Sequence, residues 1–147
     1  MGRIASIETT VSSAGVWEIL ADGWRYASWV VGASRIREVD RTWPQVGSRI
    51  HHSVGLWPLV LDDSTEVKSV QSERELVLRA RAWLFGKAEI TLTLEPTGSG
   101  GTRITMAEHV VEGPYALVPD VVQEELVLPR NQECLKRLAL IAEGVTV

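Results

Sequence analysis

Apolar and polar positions alternate through the middle of the chain. Leu76, Leu78, Ala80 and Ala82 fall on one face of 75–83, against Glu75, Val77, Arg79 and Arg81. Ala88, Ile90, Leu92 and Leu94 repeat the pattern against Glu89, Thr91, Thr93 and Glu95, and Thr102, Ile104, Met106, Glu108 and Val110 share one face of the next segment. A period of two with short Gly- or Pro-bearing turns predicts an antiparallel sheet, one face wet and one covered. Further strands are predicted at 4–11, 33–40, 47–54 and 59–70, the last alternating imperfectly. Turns are expected at Trp43-Pro44, at Gly55 with Pro58, at Gly86 and at 96–101.

The covering elements follow a helical period. Ser12 and Ser13 are cap residues, Val16, Trp17 and Leu20 recur at helical spacing, and Gly23 is placed to end that helix. A second short helix over 24–30 carries Trp29 and Val30 inward, with Gly32 stopping it. In 120–143, Leu128, Leu135, Leu138 and Ala142 form one stripe. Pro129 lies inside this segment, where its missing N–H and its ring predict a kink or a break just before it.

Composition narrows the class. At 147 residues the chain matches the commonest domain size, so one domain is expected, with roughly 70% of its unfolded surface buried. A net charge of −4 without a basic patch argues against nucleic acid. One cysteine, Cys134, fits a reducing compartment, and neither a signal-type run nor a membrane span is legible, so a cytoplasmic protein is expected.

Several short phrases are diagnostic in their order and spacing. These are Val16-Trp17-Glu18-Ile19-Leu20-Ala21-Asp22, Trp43-Pro44 followed by Val46-Gly47, Glu66-Val67, Gly101-Thr102-Arg103-Ile104, and Arg130-Asn131 with Leu135 and Leu138. Together they resemble the START-like, or birch-pollen-allergen-like, superfamily, and within it the polyketide cyclase/dehydrase branch, over residues 4–144. The resemblance implies an α+β helix-grip fold: a curved antiparallel sheet of about six to seven strands around a long C-terminal helix, with two short helices after the first strand. It also implies a cavity between sheet and helix for an apolar small molecule, with no cofactor. The superfamily hosts carriers, cyclases and binding modules, so fold alone does not assign the activity.

A curved sheet does not pack flat against one helix, and the gap is filled by large side chains or by a guest. The tryptophans Trp17, Trp24, Trp29, Trp43, Trp57 and Trp83 stand mostly near element ends, where a cavity mouth would lie. The expected lining comprises Trp29, Trp57 and Trp83, the sheet residues Ile50, Val67, Leu78, Ile90, Leu92 and Met106, and Tyr115, Val122, Leu126 and Arg130. Polar groups share the inner face. If Ile50 faces inward so does His52, and Asp63 accompanies Thr65 and Val67, while Glu108 accompanies Met106. A one-residue bulge would instead turn His51 inward. His52, Glu108 and Asp63 are thus candidates for acid–base chemistry, for orienting a ligand, or for a structural pair of Glu108 with an arginine at the sheet edge. Adjacent strand histidines point to opposite faces, so His51, His52 and His109 make a poor metal set.

The residues therefore support a binding protein for a lipid-like or polycyclic molecule, with a cyclase/dehydrase using His52 and Glu108 as the first alternative. A filled-core interaction module is the second. No membrane span and no nucleic-acid partner are expected, and the chain is a monomer or homodimer.

Overall fold

A computed structural model describes residues 4–31, 33–54, 61–81, 87–112 and 120–144. The strand β1 (Ala5–Thr9) leads into helix α1 (Ser13–Ala21), a 3-10 turn (Gly23–Arg25) and the short helix α2 (Tyr26–Trp29). The strands β2 (Ala33–Val39), β3 (Arg49–Val54), β4 (Leu61–Gln71), β5 (Glu75–Arg81), β6 (Lys87–Pro96) and β7 (Thr102–Glu112) follow, then helix α3 (Asp120–Ala142). The strands form one antiparallel sheet in the order β1-β7-β6-β5-β4-β3-β2.

The alternating residues occupy the sheet as the period requires. Leu76, Leu78, Ile90, Leu92, Ile104 and Met106 are buried on the covered face, with Ile50 and Val67 beside them. Each large apolar side chain so enclosed contributes about 2 kcal/mol. Leu135 and Leu138 of α3 are buried against this face and Leu128 and Ala142 pack on its margin, so the predicted stripe is the seam of the core. On the opposite face, Arg79 pairs with Glu89 and Arg103 with Glu8.

Several expectations are corrected. The imperfect alternation in β4 has a cause: the register shifts between Val67 and Ser69, so Val70 rather than Ser69 follows Val67 toward the core, opposite Leu76. Gly23 does not cap α1. It starts the 3-10 turn, where a Cβ would lie 2.7 Å from Val39 Cγ1, so close packing explains the residue. Pro129 does not break α3, which is continuous through it from Asp120 to Ala142. The missing N–H removes one helix bond, and the next residue, Arg130, is tied to the rest of the fold (below). Ser12 caps α1 as expected, accepting from Gly15 N at 3.2 Å.

The register gives the sheet two different ends. Ala33, Val54 and Leu61 pair in line at one end, with Arg81, Lys87 and Glu112. At the other, Thr9 pairs with Thr102 beside the 97–101 turn. This second end is tightly closed. Thr102 Oγ1 donates to Val11 O at 2.8 Å and lies 3.2 Å from Ser13 Oγ, and Thr9 Oγ1 donates to Glu143 Oε2 of the residue after α3 at 2.6 Å. The backbones approach so closely that a Cβ on Gly101 would sit 2.1 Å from Thr9 O.

Candidate functional site

The polar candidates gather toward the first of these ends. His52 pairs across the sheet with Asp63, and Ile50 with Thr65, so His52 and Thr65 stand diagonally on neighbouring strands with both side chains covered. His52 is 1% exposed, whereas His51 is half-buried and meets Asp40 at 3.2 Å. The imidazole Nε2 lies 2.6 Å from Thr65 Oγ1. Tyr26 of α2 reaches the same hydroxyl with its OH at 3.1 Å and stacks its ring on the imidazole, centroids 5.4 Å apart. Trp29, one helical turn on, packs edge-on against Tyr26 at 5.6 Å.

Two polar side chains therefore converge on one threonine oxygen, which offers one proton and two lone pairs. Two arrangements satisfy it: Tyr26 donates to Thr65 and Thr65 to His52, or His52 donates to Thr65 and Thr65 to Tyr26. Both leave the imidazole Nδ1 without a hydrogen-bond partner among the described residues, although the atom is buried. Burial holds the His52 pKa below its ordinary 6.5, and of the flanking charges Asp63 pulls it up while Arg37 pushes it down. Burial also pushes the Tyr26 phenol up to about 12. Near neutral pH both groups are uncharged.

The second cluster joins sheet to helix. Glu108, on β7, accepts a hydrogen bond and ion pair from Arg130 Nη2 of α3, the carboxylate side chain being 6% exposed and the arginine 33%. Arg130 Nη1 also donates to Val31 O at 3.2 Å, and Nη2 to Asn131 Oδ1 at 3.2 Å. Cys134, one turn further along α3, accepts from Val31 N at 3.3 Å. Both backbone groups of Val31 are thus held by one face of α3. The thiol is buried and its pKa is raised by that burial, which keeps it protonated and unreactive. The pair of Glu108 with an arginine is present, but β7 is an interior strand, so the pair bridges sheet and helix rather than lying at an edge.

The other candidates are distributed unevenly. Trp29, Ile50, Val67, Leu78, Ile90, Leu92 and Met106 are all buried among protein atoms. Asp63 is partly buried, and its carboxylate accepts from Ser64 N at 2.7 Å. Trp57, Trp83 and Tyr115 lie outside the described residues; Val122 and Leu126 lie in α3, but their side chains are not described. Of the remaining tryptophans, Trp24 is 60% exposed and Trp43 donates its indole N–H to Leu20 O at 3.1 Å, away from the His52 end. Sequence reading passed over Tyr26. Its spacing of three from Trp29 on a short helix was the available signal.

An antiparallel curved sheet with two short helices and one long C-terminal helix on its covered face defines a helix-grip protein. Ara h 8.0201 shares this fold with a TM-score of 0.71 over 97% of each chain at 12% identity. A START superfamily protein from Mycobacterium smegmatis gives 0.69 over 98% of each chain at 16% identity, and MLL2253 from Mesorhizobium loti 0.68 over 99% of this chain and 100% of its own at 19% identity. The sequence matches the family described as polyketide cyclase / dehydrase and lipid transport over residues 5–143, and the chain belongs to that family. No curated protein matches it by sequence.

Proposed function

We propose that the protein binds a hydrophobic small molecule, lipid-like or polycyclic, between the covered face of the sheet and α3, at the His52 end. Membership of a family described by polyketide and lipid handling supports this. The observation that carries it is the contrast within the covered face. A largely apolar surface gathers two aromatic rings, a neutral imidazole with a nitrogen unmatched among the described residues and one ion pair at a single end. An apolar site with a few placed polar groups is the usual make-up of a small-molecule site. The main close backbone neighbours of α3 are β1, β7, α1 and α2, which supports a guest lying over the β3–β5 side. The catalytic alternative has less support, because Glu108 is engaged by Arg130 and so is poorly placed to exchange protons with His52.

Native mass spectrometry of freshly purified protein, with solvent extraction of anything retained, tests the reading. A discrete apolar adduct is expected. Added apolar ligands should also raise the melting temperature, with about 2.7 kcal/mol of stabilisation at a hundredfold excess over Kd. A clean apo mass together with melts indifferent to a panel of such ligands would refute the proposal and leave an interaction module with a filled core.

A further inference from the structure

We infer that the bound molecule carries an uncharged hydrogen-bonding group, a hydroxyl, phenol or ketone on an apolar body, which seats on Nδ1 of His52, and that matched carboxylates are disfavoured. The inference deepens the binding proposal and rests on it.

Nδ1 is buried, unmatched among the described residues, and belongs to a side chain that is 1% exposed. A buried polar atom without a partner is costly, and a ligand atom supplying the missing bond recovers that cost. The ring cannot turn to satisfy itself. Nε2 is committed to Thr65 at 2.6 Å, and Tyr26 covers one ring face. The bond to Thr65 directs Nδ1 toward the other side of the ring, away from that hydroxyl. Ser53 lies beside the ring, but its backbone does not meet Nδ1 in hydrogen-bond geometry. Since His52 is enclosed, the incoming head group must displace whatever covers the ring, which favours a small head on a body apolar enough to repay the displacement.

The charge of the head follows from the surroundings. His52 and Tyr26 are both held neutral by burial. Of the charges acting on the imidazole the carboxylate of Asp63 is the strongest, with Arg37 and His51 acting the other way, so an anionic head would meet a like charge beside the ring. The cation nearest to the aromatic pair on α3, Arg130, is matched by Glu108 and also donates to Val31 O and Asn131 Oδ1. An anionic head would lose its hydration and find no free counter-charge among these groups. A neutral head suits either tautomer, donating to Nδ1 as a hydroxyl or accepting from it as a ketone.

The experiment compares naphthalene, 2-naphthol and 2-naphthoate at neutral pH by titration calorimetry on the intact chain, with the His52 ring nitrogens followed by nitrogen-15 NMR. Naphthol should bind about five- to tenfold tighter than naphthalene and at least about tenfold tighter than naphthoate. Naphthol alone should move the Nδ1 resonance. In His52→Phe the preference of naphthol over naphthalene should vanish while naphthalene binding persists, which also reports that the variant is folded. If that variant does not fold, the wild-type ligand order and the NMR shift decide. Naphthoate binding as tightly as naphthol, or naphthol binding without moving the His52 resonances, would overturn the inference and leave the binding proposal standing. If all three fail to bind, the inference falls, while the broader binding proposal is decided by native mass spectrometry and the ligand melts.

Discussion

The two ends of the sheet handle buried polar groups in opposite ways. At the Thr9–Thr102 end the side chains are short, and each hydroxyl finds a fixed partner within the chain: Val11 O, Ser13, Glu143. At the His52–Glu108 end they are large, ringed or charged, they crowd on one hydroxyl and one carboxylate, and one nitrogen is left over among the described residues. The first end closes a core with Thr9, Ser13 and Thr102 all engaged. The second carries groups that a purely structural sheet would replace with leucine. Polar satisfaction, rather than burial, therefore distinguishes the two ends, and the second is the one to which the binding proposal assigns a guest.

The contrast can be broken most heavily in the apolar half. Leu135→Ala deletes a fully buried side chain of the α3 seam and should cost about 3 kcal/mol, read as a lower urea midpoint. That loss should leave the spectroscopic signature of the His52 ring unchanged.

The next effect tests the charge bridge, and its asymmetry is the informative part. Arg130→Met strands a carboxylate that is 6% exposed and frees Val31 O, and should cost about 2–3 kcal/mol. Glu108→Leu leaves an arginine that is 33% exposed and can turn to water, and should cost about 1 kcal/mol. The double variant should recover most of the Arg130→Met loss in a double-mutant cycle. Equal single costs with no recovery would show that the pair is not energetically coupled.

The smallest effect is in pH. The folded His52 has a pKa below 6.5, while the unfolded chain has the ordinary value. Between the two, the unfolded state binds a proton that the folded state refuses, so stability is full above about 6.5 and falls as the pH drops through the window beneath it. Urea melts across the mildly acidic range should show this slope, and His52→Phe should flatten it. An unchanged slope in that variant would assign the acid sensitivity to other groups.

Much of the fold was legible because alternation and helical spacing are local. Leu76, Leu78, Leu92 and Ile104 declare a face within a few residues of themselves, as do Leu135 and Leu138. The shift at Val67/Ser69 was legible only as a blemish, since one extra residue in a strand looks like noise until its partner is known. At Pro129 only the break is ruled out, for a related reason: the local penalty is real, but the helix runs on through it and is anchored at Arg130. The polar clusters were half legible. His52 and Glu108 stood out as residue types at inward positions, yet Tyr26 meets Thr65 across 39 positions and Arg130 meets Glu108 across 22, and those meetings depend on register and helix placement. The role of Cys134 was invisible, because accepting a backbone N–H leaves no mark on spacing.

The pairing of β1 with β7 has a consequence for how the chain assembles. From β2 to β7 each strand pairs with its neighbour in sequence, so that meander can form progressively as the chain leaves the ribosome. Residues 5–9 are made before the other strands of the sheet but must wait for 102–106, and the bond from Thr9 to Glu143 closes a separation of 134 positions. The strand of this sheet that is synthesised ahead of the others is therefore among the last to dock, and until it does, β7 presents an unpaired edge to anything nearby.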